Sequence, residues 1–275
     1  MLRDIVVHVD STPEASSRLG YAAGLAALHQ AHLTALHIRR PPVIPADVTG
    51  TSVAATVIAL QHEAEEERAG LARKLVDEVS ARYGLPIEWR EAEGSANDLL
   101  NLHGYYSDLI VIGQSPLGID LRPPVGPDAG RVIVTSGRPV IVVPKECPYT
   151  TFGQQILIAW KASAPAARAV ADALPLLQKA HGVTVLEVTQ DPVANRIAGA
   201  DISTHLSRHG VKVTVEPFVA PDDQAFPLIQ SRAMDIGADL IVMGGYGYPR
   251  LWEAVLGGVT RQMLGAMFQP VLFSH

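Results

Sequence analysis

The residues best suited by type and spacing to do chemistry lie near the end of the sequence. They read Gly244-Gly-Tyr-Gly247-Tyr-Pro-Arg-Leu-Trp-Glu-Ala-Val-Leu256-Gly257-Gly258-Val-Thr260, a glycine pair three apart, a nine-residue spacer and a second glycine pair. Glycines do two things for a phosphate: they permit positive φ, and they let backbone N–H groups reach the oxygens with no Cβ in the way. A helix starting after Gly257 would add the positive end of its dipole. Taken alone, the spacing has an equally good steric account, because glycine also lets a turn pack closely against its neighbours. Lys161, Arg250 and Thr260 are the polar side chains that could neighbour a terminal phosphate, and none of them is a base that could position an attacking water.

Other chemistries find less support. The sequence has no Gly-x4-Gly-Lys-Ser/Thr loop, no Gly-x-Ser-x-Gly elbow, no His-Glu-x2-His and no paired cysteines. Ser115 has no assignable base. His205 and His209 stand four apart on an expected helix but lack a third metal ligand, so a solvated helix face is the better reading. His29 and His32 bracket a helix end and read as surface or capping groups. The acidic run Glu63, Glu65, Glu66 and Glu67 reads as a solvated face. Cys147 reads as an inert thiol between two units.

Two copies of one pattern must position the glycine loop. Asp108-Leu-Ile-Val-Ile-Gly113 recurs as Asp239-Leu-Ile-Val-Met-Gly244, and Arg138-Pro-Val-Ile-Val-Val143 recurs as Gln269-Pro-Val-Leu-Phe273. In each half, short apolar runs alternate with stretches of helical spacing, the mark of βαβ units around a parallel sheet. Strands are expected near 4–9, 33–38, 87–91, 108–112 and 139–143, then near 155–160, 183–188, 211–216, 239–243 and 270–273. Helix starts are marked by Ser11-Thr-Pro-Glu14 and by Ser163-Ala-Pro165, each placing a capping hydroxyl before a proline. A long charged helix is expected over 56–83, preceded by a Pro-rich excursion, Pro41–Gly50, with no counterpart in the second half. The expected fold is α/β, two tandem doubly wound five-stranded parallel-sheet domains of Rossmann-like type, over residues 1–147 and 148–275. Lys145–Gly153 is the linker.

With these motifs in place, the sequence resembles the universal stress protein family over nearly its whole length. Nucleotide-binding members carry Gly-x2-Gly-x9-Gly-Ser/Thr after strand four and a last strand led by Pro-Val, which Gly244, Gly247, Gly257 and Pro270-Val match. The resemblance implies an ATP or related adenine-nucleotide site in the second half. Its contacts would fall on Lys161, Val188, Met243, Gly244, Tyr246, Gly247, Gly257, Gly258, Val259 and Thr260. Magnesium would be held by the phosphates. Two positions depart from the pattern: Lys161 replaces an acid, and Gly258 replaces a hydroxyl. Tyr246 reads equally as a pocket seal and as interface filler. The first half has Asp10 in the acid's place, but Gln114, Ser115 and Pro116 replace the rest of the loop, and Pro116 has no N–H to give. The resemblance further implies a stress-response role and pairing of the two halves through their last strands as an internal pseudo-dimer, with room for a further homodimer. The alternatives are a nucleotide-independent scaffold or chaperone-like protein whose sites have degenerated, and a slow ATPase.

Bulk properties narrow the partners. A net charge of -6 with no clustered Lys and Arg argues against nucleic acid, whose affinity rests on phosphate neutralisation. An apolar content of 48% suffices for two cores. No apolar run is long enough for a membrane span. A single cysteine and a charged opening, MLRDIVVHVD, without the apolar stretch of a secretory leader predict a cytoplasmic protein.

Overall fold

The computed structural model describes residues 1–44, 49, 52–115, 126–189, 201–246 and 258–275. All ten expected strands are present. The first repeat holds β1 (Asp4–Val9), β2 (His32–Arg39), β3 (Ile87–Glu93), β4 (Leu109–Gly113) and β5 (Val140–Val143). The second holds β6 (Gln155–Trp160), β7 (Gly182–Thr189), β8 (Val213–Val219), β9 (Leu240–Gly244) and β10 (Val271–Ser274). Between them lie α1 (Glu14–His29), α2 (Ser52–Tyr83), α3 (Ala96–Gly104), α4 (Ala129–Thr135), α5 (Ala164–Leu177), α7 (Ala225–Asp235) and α8 (Gly258–Ala266), with a further helix, α6, over residues 201–208.

The strands form one sheet in the order β3-β2-β1-β4-β5-β10-β9-β6-β7-β8. Among the described residues every pairing within a repeat is parallel, and the one antiparallel pairing joins β5 to β10. Its register sets Val140 against Phe273, Ile141 against Leu272 and Val142 against Val271. Repeat-equivalent residues thus exchange partners about the central pair, which is the local twofold of an internal pseudo-dimer. Apolar side chains leave the sheet on both sides, as strands covered on both faces require. Residues of α1, α2, α5 and α6 pack over one face, and residues of α3, α4, α7 and α8 over the other.

The recurring aspartates explain themselves in the structure. The Asp108 carboxylate accepts the Arg3 and Asp4 N–H groups at 2.7 and 3.1 Å. Asp239 repeats the device, accepting from Gln154 at 2.9 Å and Gln155 at 3.1 Å. Each carboxylate therefore anchors the entry of its repeat's first strand to the strand beside it. The first repeat also packs on the segment between the repeats: the Tyr21 ring meets Phe152 edge-on at 5.5 Å, and its hydroxyl donates to the Asp239 carbonyl at 3.2 Å. A Cβ on Gly24 would stand 2.2 Å from the same Phe152 ring, so this glycine admits the contact. Val43 of the Pro-rich excursion is stitched to α2 by two bonds with the Gln61 amide, while residues 45–48 and 50 lie outside the described residues.

Three local expectations need correction. The hydroxyl ahead of α1 does not cap it: Thr12 donates to Asp10 Oδ1 at 2.5 Å, and Pro13 occupies the cap position, whereas Ser163 does cap α5 by accepting from Ala166 N–H at 3.4 Å. β8 starts two residues later than expected, because Val211 N–H turns back to Leu206 and, with Gly210 at φ 76°, closes the end of α6. His29 is neither surface nor cap. It is fully buried, whereas His32 is exposed and bonds Glu88 at 2.7 Å.

Two measurements test this framework. Removing the Asp239 carboxylate strands two N–H groups in a buried setting, so Asp239→Ala should cost about 3 kcal/mol in urea unfolding and Asp108→Ala, at a more exposed position, about half that. Burial, reinforced by the Lys179 ammonium, lowers the His29 pKa from 6.5 to about 4. A lowered histidine leaves the unfolded chain to take up the proton first as pH falls, so stability is present above pH 6.5 and is lost between 6.5 and about 4. His29→Leu should remove about 3 kcal/mol of that acid-side loss at pH 4, read from thermal midpoints across the range.

Candidate functional site

In each repeat the first strand lies between the second and the fourth, and the helix that follows the first strand and the helix that follows the fourth cover opposite faces of the sheet. The carboxyl ends of β6 and β9 therefore flank the crevice where an open parallel sheet takes its ligands. Register places the expected residues around it. Ala159 pairs with Met243, and Trp160 with Glu187, so Lys161, Val188 and Gly244 follow at three adjacent strand ends. Lys161 is exposed, Val188 half-buried and Met243 buried. Gly258, Val259 and Thr260 form the first turn of α8, running from exposed to buried. The amide of Tyr246 donates to Thr260 Oγ1 at 3.5 Å, which draws the turn after β9 onto that helix. Gly247, Gly257 and Arg250 lie outside the described residues, as does Pro116 of the first repeat.

The described glycines divide by what surrounds them. A Cβ at Gly244 would come within 2.6 Å of the Ala166 nitrogen and 2.7 Å of the Pro165 carbonyl carbon, both backbone atoms, so this glycine lets β9 approach the first turn of α5. Gly245 abuts Ile133 of the first repeat, and its N–H is bonded to Ser274 O at 2.8 Å. Among the described residues nothing lies within 4 Å of a Cβ at Gly258, so none of them blocks the first turn of α8, whose N–H groups have no intrahelical acceptor. Tyr246 has φ 51°, in the left-handed region. Its hydroxyl occupies the space a Cβ on Gly130 would need, 2.5 Å away. Burial, with the Asp128 carboxylate adding to it, pushes the phenol up to about 12. Tyr246 thus spans to the other repeat as interface filler.

The equivalent crevice of the first repeat is closed by its own side chains. Arg18, 5% exposed on α1, donates Nε–H to the His8 carbonyl at 2.6 Å and sets Nη2 3.2 Å from Asp10 Oδ2. A Cβ on Gly113 would meet the same guanidinium at 2.4 Å. Burial works to raise the Asp10 pKa, but Arg18, His8 and the bonds from Thr12 outweigh it and hold the carboxyl at about 2. His8 is held neutral, with a pKa of about 3 set first by burial and then by Arg18. The residues that replace the glycine loop also have internal roles. Gln114 donates to Leu264 O at 2.9 Å, tying the first repeat to α8, and Ser115 bridges Pro127 O and Ala129 N–H at the start of α4.

Sequence reading missed Arg18, and the alignment of the repeats carried the signal: the matching position on α5 is Ala169. The same alignment sets Trp160 and Glu187 against Val9 and His37. Glu187 is buried, and burial raises its carboxyl above the usual range. Cys147 is half-buried, with its thiol pushed up to about 11 by burial, as an unreactive cysteine would be. His205 and His209 are both exposed, their rings 4.7 Å apart. Among the described residues no group of three or more His, Cys, Asp or Glu gathers, and no helix is long and apolar enough to cross a membrane.

The residues present fit a phosphate-bearing ligand at the second crevice in two respects: the first turn of α8, which no described residue blocks, and a cation, Lys161, on the neighbouring strand end. Comparisons with known proteins bear on what such a crevice belongs to. The family model described as Universal stress protein family matches residues 1–144. A universal stress protein of Synechocystis sp. is 31% identical over 156 residues, 54% of this chain and 50% of that protein. Another, from Mycolicibacterium smegmatis, is 28% identical over 142 residues, 50% of this chain and 47% of that protein. The chain thus spans about half the length of the curated relatives it matches. Among solved structures, a universal stress protein from Archaeoglobus fulgidus superposes with a TM-score of 0.73 at 17% identity, covering 98% of this chain and 96% of that one. A putative universal stress protein from Pseudomonas aeruginosa gives 0.59 at 17% identity, with 99% and 93% covered. At that identity the likeness is one of fold, and it runs through both repeats. The repeated aspartates, the paired last strands and these matches lead to one conclusion: the chain belongs to the universal stress protein family, as a tandem of two repeats.

Proposed function

We propose that this chain is a stress-response-type adenine-nucleotide (ATP) binding protein with a single site, in its second repeat. The repeats are taken as residues 1–147 and 148–275, and the protein as cytoplasmic. The asymmetry between the two equivalent crevices carries the reading. In the first, Arg18 neutralises Asp10 and fills the space beside Gly113. In the second, Ala169 supplies no such cation, and among the described residues nothing crowds Gly258 at the first turn of α8. Lys161, the Gly258–Thr260 turn, Gly247 and Gly257 would hold the phosphates, with Met243, Gly244 and Tyr246 shaping the loop and Val188 lying beside the base. Magnesium would travel with the phosphates. Adenine-nucleotide binding is common in the family. Hydrolysis beyond a slow leak would need a base to orient water, and no assigned residue supplies one.

The rival reading, a nucleotide-independent scaffold or chaperone-like protein, draws on a specific observation. Gly245 and Tyr246, the start of the glycine loop, are engaged with α4 of the other repeat. One titration separates the two readings. ATP should bind the purified chain at about one site per molecule. Gly258→Asp should weaken it at least about tenfold at low salt, because an acid at a helix start favours the helix but repels phosphate. The thermal midpoint of that variant should be unchanged or higher, and Asp10→Asn should leave both stoichiometry and affinity unchanged. Folded wild-type protein that takes up no nucleotide, or takes up two, would overturn the proposal.

A further inference from the structure

Among the buried polar atoms of the second repeat that have no partner, two belong to cross-strand neighbours at the crevice end of the sheet. Trp160 ends β6, and Glu187 stands opposite it on β7. Strand alternation places both on the face that carries Ile158 and Val185. Glu187 is 4% exposed, and neither its Oε2 nor the indole Nε1 of Trp160 makes a hydrogen bond. Native proteins pair nearly all such groups, so an orphaned donor beside an orphaned acceptor calls for a reason. The equivalent pair in the first repeat, Val9 and His37, differs: His37 Nδ1 bonds the Val9 carbonyl at 3.0 Å and its ring stacks on Trp89, which leaves one ring nitrogen, Nε2, without a partner and no facing donor or acceptor side chain on Val9. A donor and an acceptor left unpaired on facing residues are thus a feature of the second repeat's edge, the repeat that keeps the glycine loop. The pair sits at the carboxyl ends of β6 and β7, one residue before Lys161 and Val188.

We propose that Glu187 and Trp160 read the base of the nucleotide bound by the second repeat and select adenine over guanine, an inference that rests on the nucleotide reading above. Burial raises the Glu187 carboxyl from its ordinary value, the direction that eases its conversion to the carboxylic acid when a base binds. A carboxylic acid offers one O–H donor and one carbonyl acceptor, and the indole adds a second donor. Two donors and an acceptor complement adenine, whose amino group is flanked by ring-nitrogen acceptors. Guanine puts a carbonyl where adenine has its amino group, so the Glu187 carbonyl would face another acceptor. A site built to bond a polar edge rejects the base that leaves its groups unpaired far more strongly than an apolar pocket does.

The test is equilibrium binding of ATP and of GTP to the full chain, with the nucleotide-free thermal midpoint of each variant as the folding control. Wild-type protein should prefer ATP by at least about tenfold. Glu187→Leu should lose about tenfold or more in ATP affinity, and the base preference with it, while its midpoint holds or rises because an unpaired carboxyl has gone. Glu187→Gln, whose amide also offers a donor and an acceptor, should stay within about threefold of wild type. Trp160→Phe should weaken ATP several-fold and GTP little. If ATP binds wild type but Glu187→Leu and Trp160→Phe bind both nucleotides as wild type does, this inference falls and the nucleotide site stands. Equal affinity of wild type for ATP and GTP, or a Glu187→Gln loss as large as that of Glu187→Leu, also overturns it. Wild-type protein that binds neither nucleotide removes the parent reading instead.

Discussion

Three residue pairs hold this molecule in its form. Where β5 meets β10, Val140, Ile141 and Val142 pair with Phe273, Leu272 and Val271, and all six are completely buried. Each repeat alone would end in a flat apolar edge strand with unpaired backbone groups, an invitation to aggregation. Antiparallel pairing of the two edges satisfies those groups within one chain. It also runs the two sets of parallel strands in opposite directions, so their carboxyl ends, and with them the two crevices, lie at opposite edges of the sheet. A ligand at one crevice has no direct reach to the other.

That separation leaves each repeat free to diverge at its own edge while the shared seam is kept. The first repeat has turned its crevice inward. Asp10 pairs with Arg18, and Gln114 and Ser115 fasten neighbouring elements. The second has kept a cation at Lys161 and a helix start at Gly258 that no described residue crowds, but part of its loop also supports the seam, through Gly245 against Ile133 and Tyr246 beside Gly130. Structural and ligand-facing duties therefore meet in adjacent residues. Gly244 makes the point most simply: its place in the glycine spacing matches a phosphate loop, yet its immediate constraint is the backbone of α5.

The architecture was legible in the sequence because it rests on local signals. Ten apolar runs, two copies of Asp-Leu-Ile-Val and a proline before each last strand suffice for the sheet and for its internal pairing. What escaped notice depends on contacts between residues far apart in sequence. His29 looks like a helix-end histidine until the fold buries it, with the Lys179 ammonium from the second repeat close enough to act on it. Arg18 looks like one more helix arginine until β1 and β4 bring Asp10 and Gly113 beside it. Thr12 had the type and position of a cap, but the carboxylate two residues away competes for its hydroxyl and wins. Glu187 lay in a strand beside an apolar run, where nothing marked it as buried without a partner. Placement of the crevice could be read in advance, because topology fixes it, but the division of labour among its side chains could not.

The central claim is that a ligand occupies one crevice and not the other, so the most direct measurement locates it. Crystals grown with ATP and magnesium should show nucleotide density against the carboxyl ends of β6 and β9, with phosphates at the first turn of α8. The Asp10–Arg18 pair should be undisturbed. Density beside Asp10 with Arg18 displaced, or a map with nucleotide at neither edge, would contradict it.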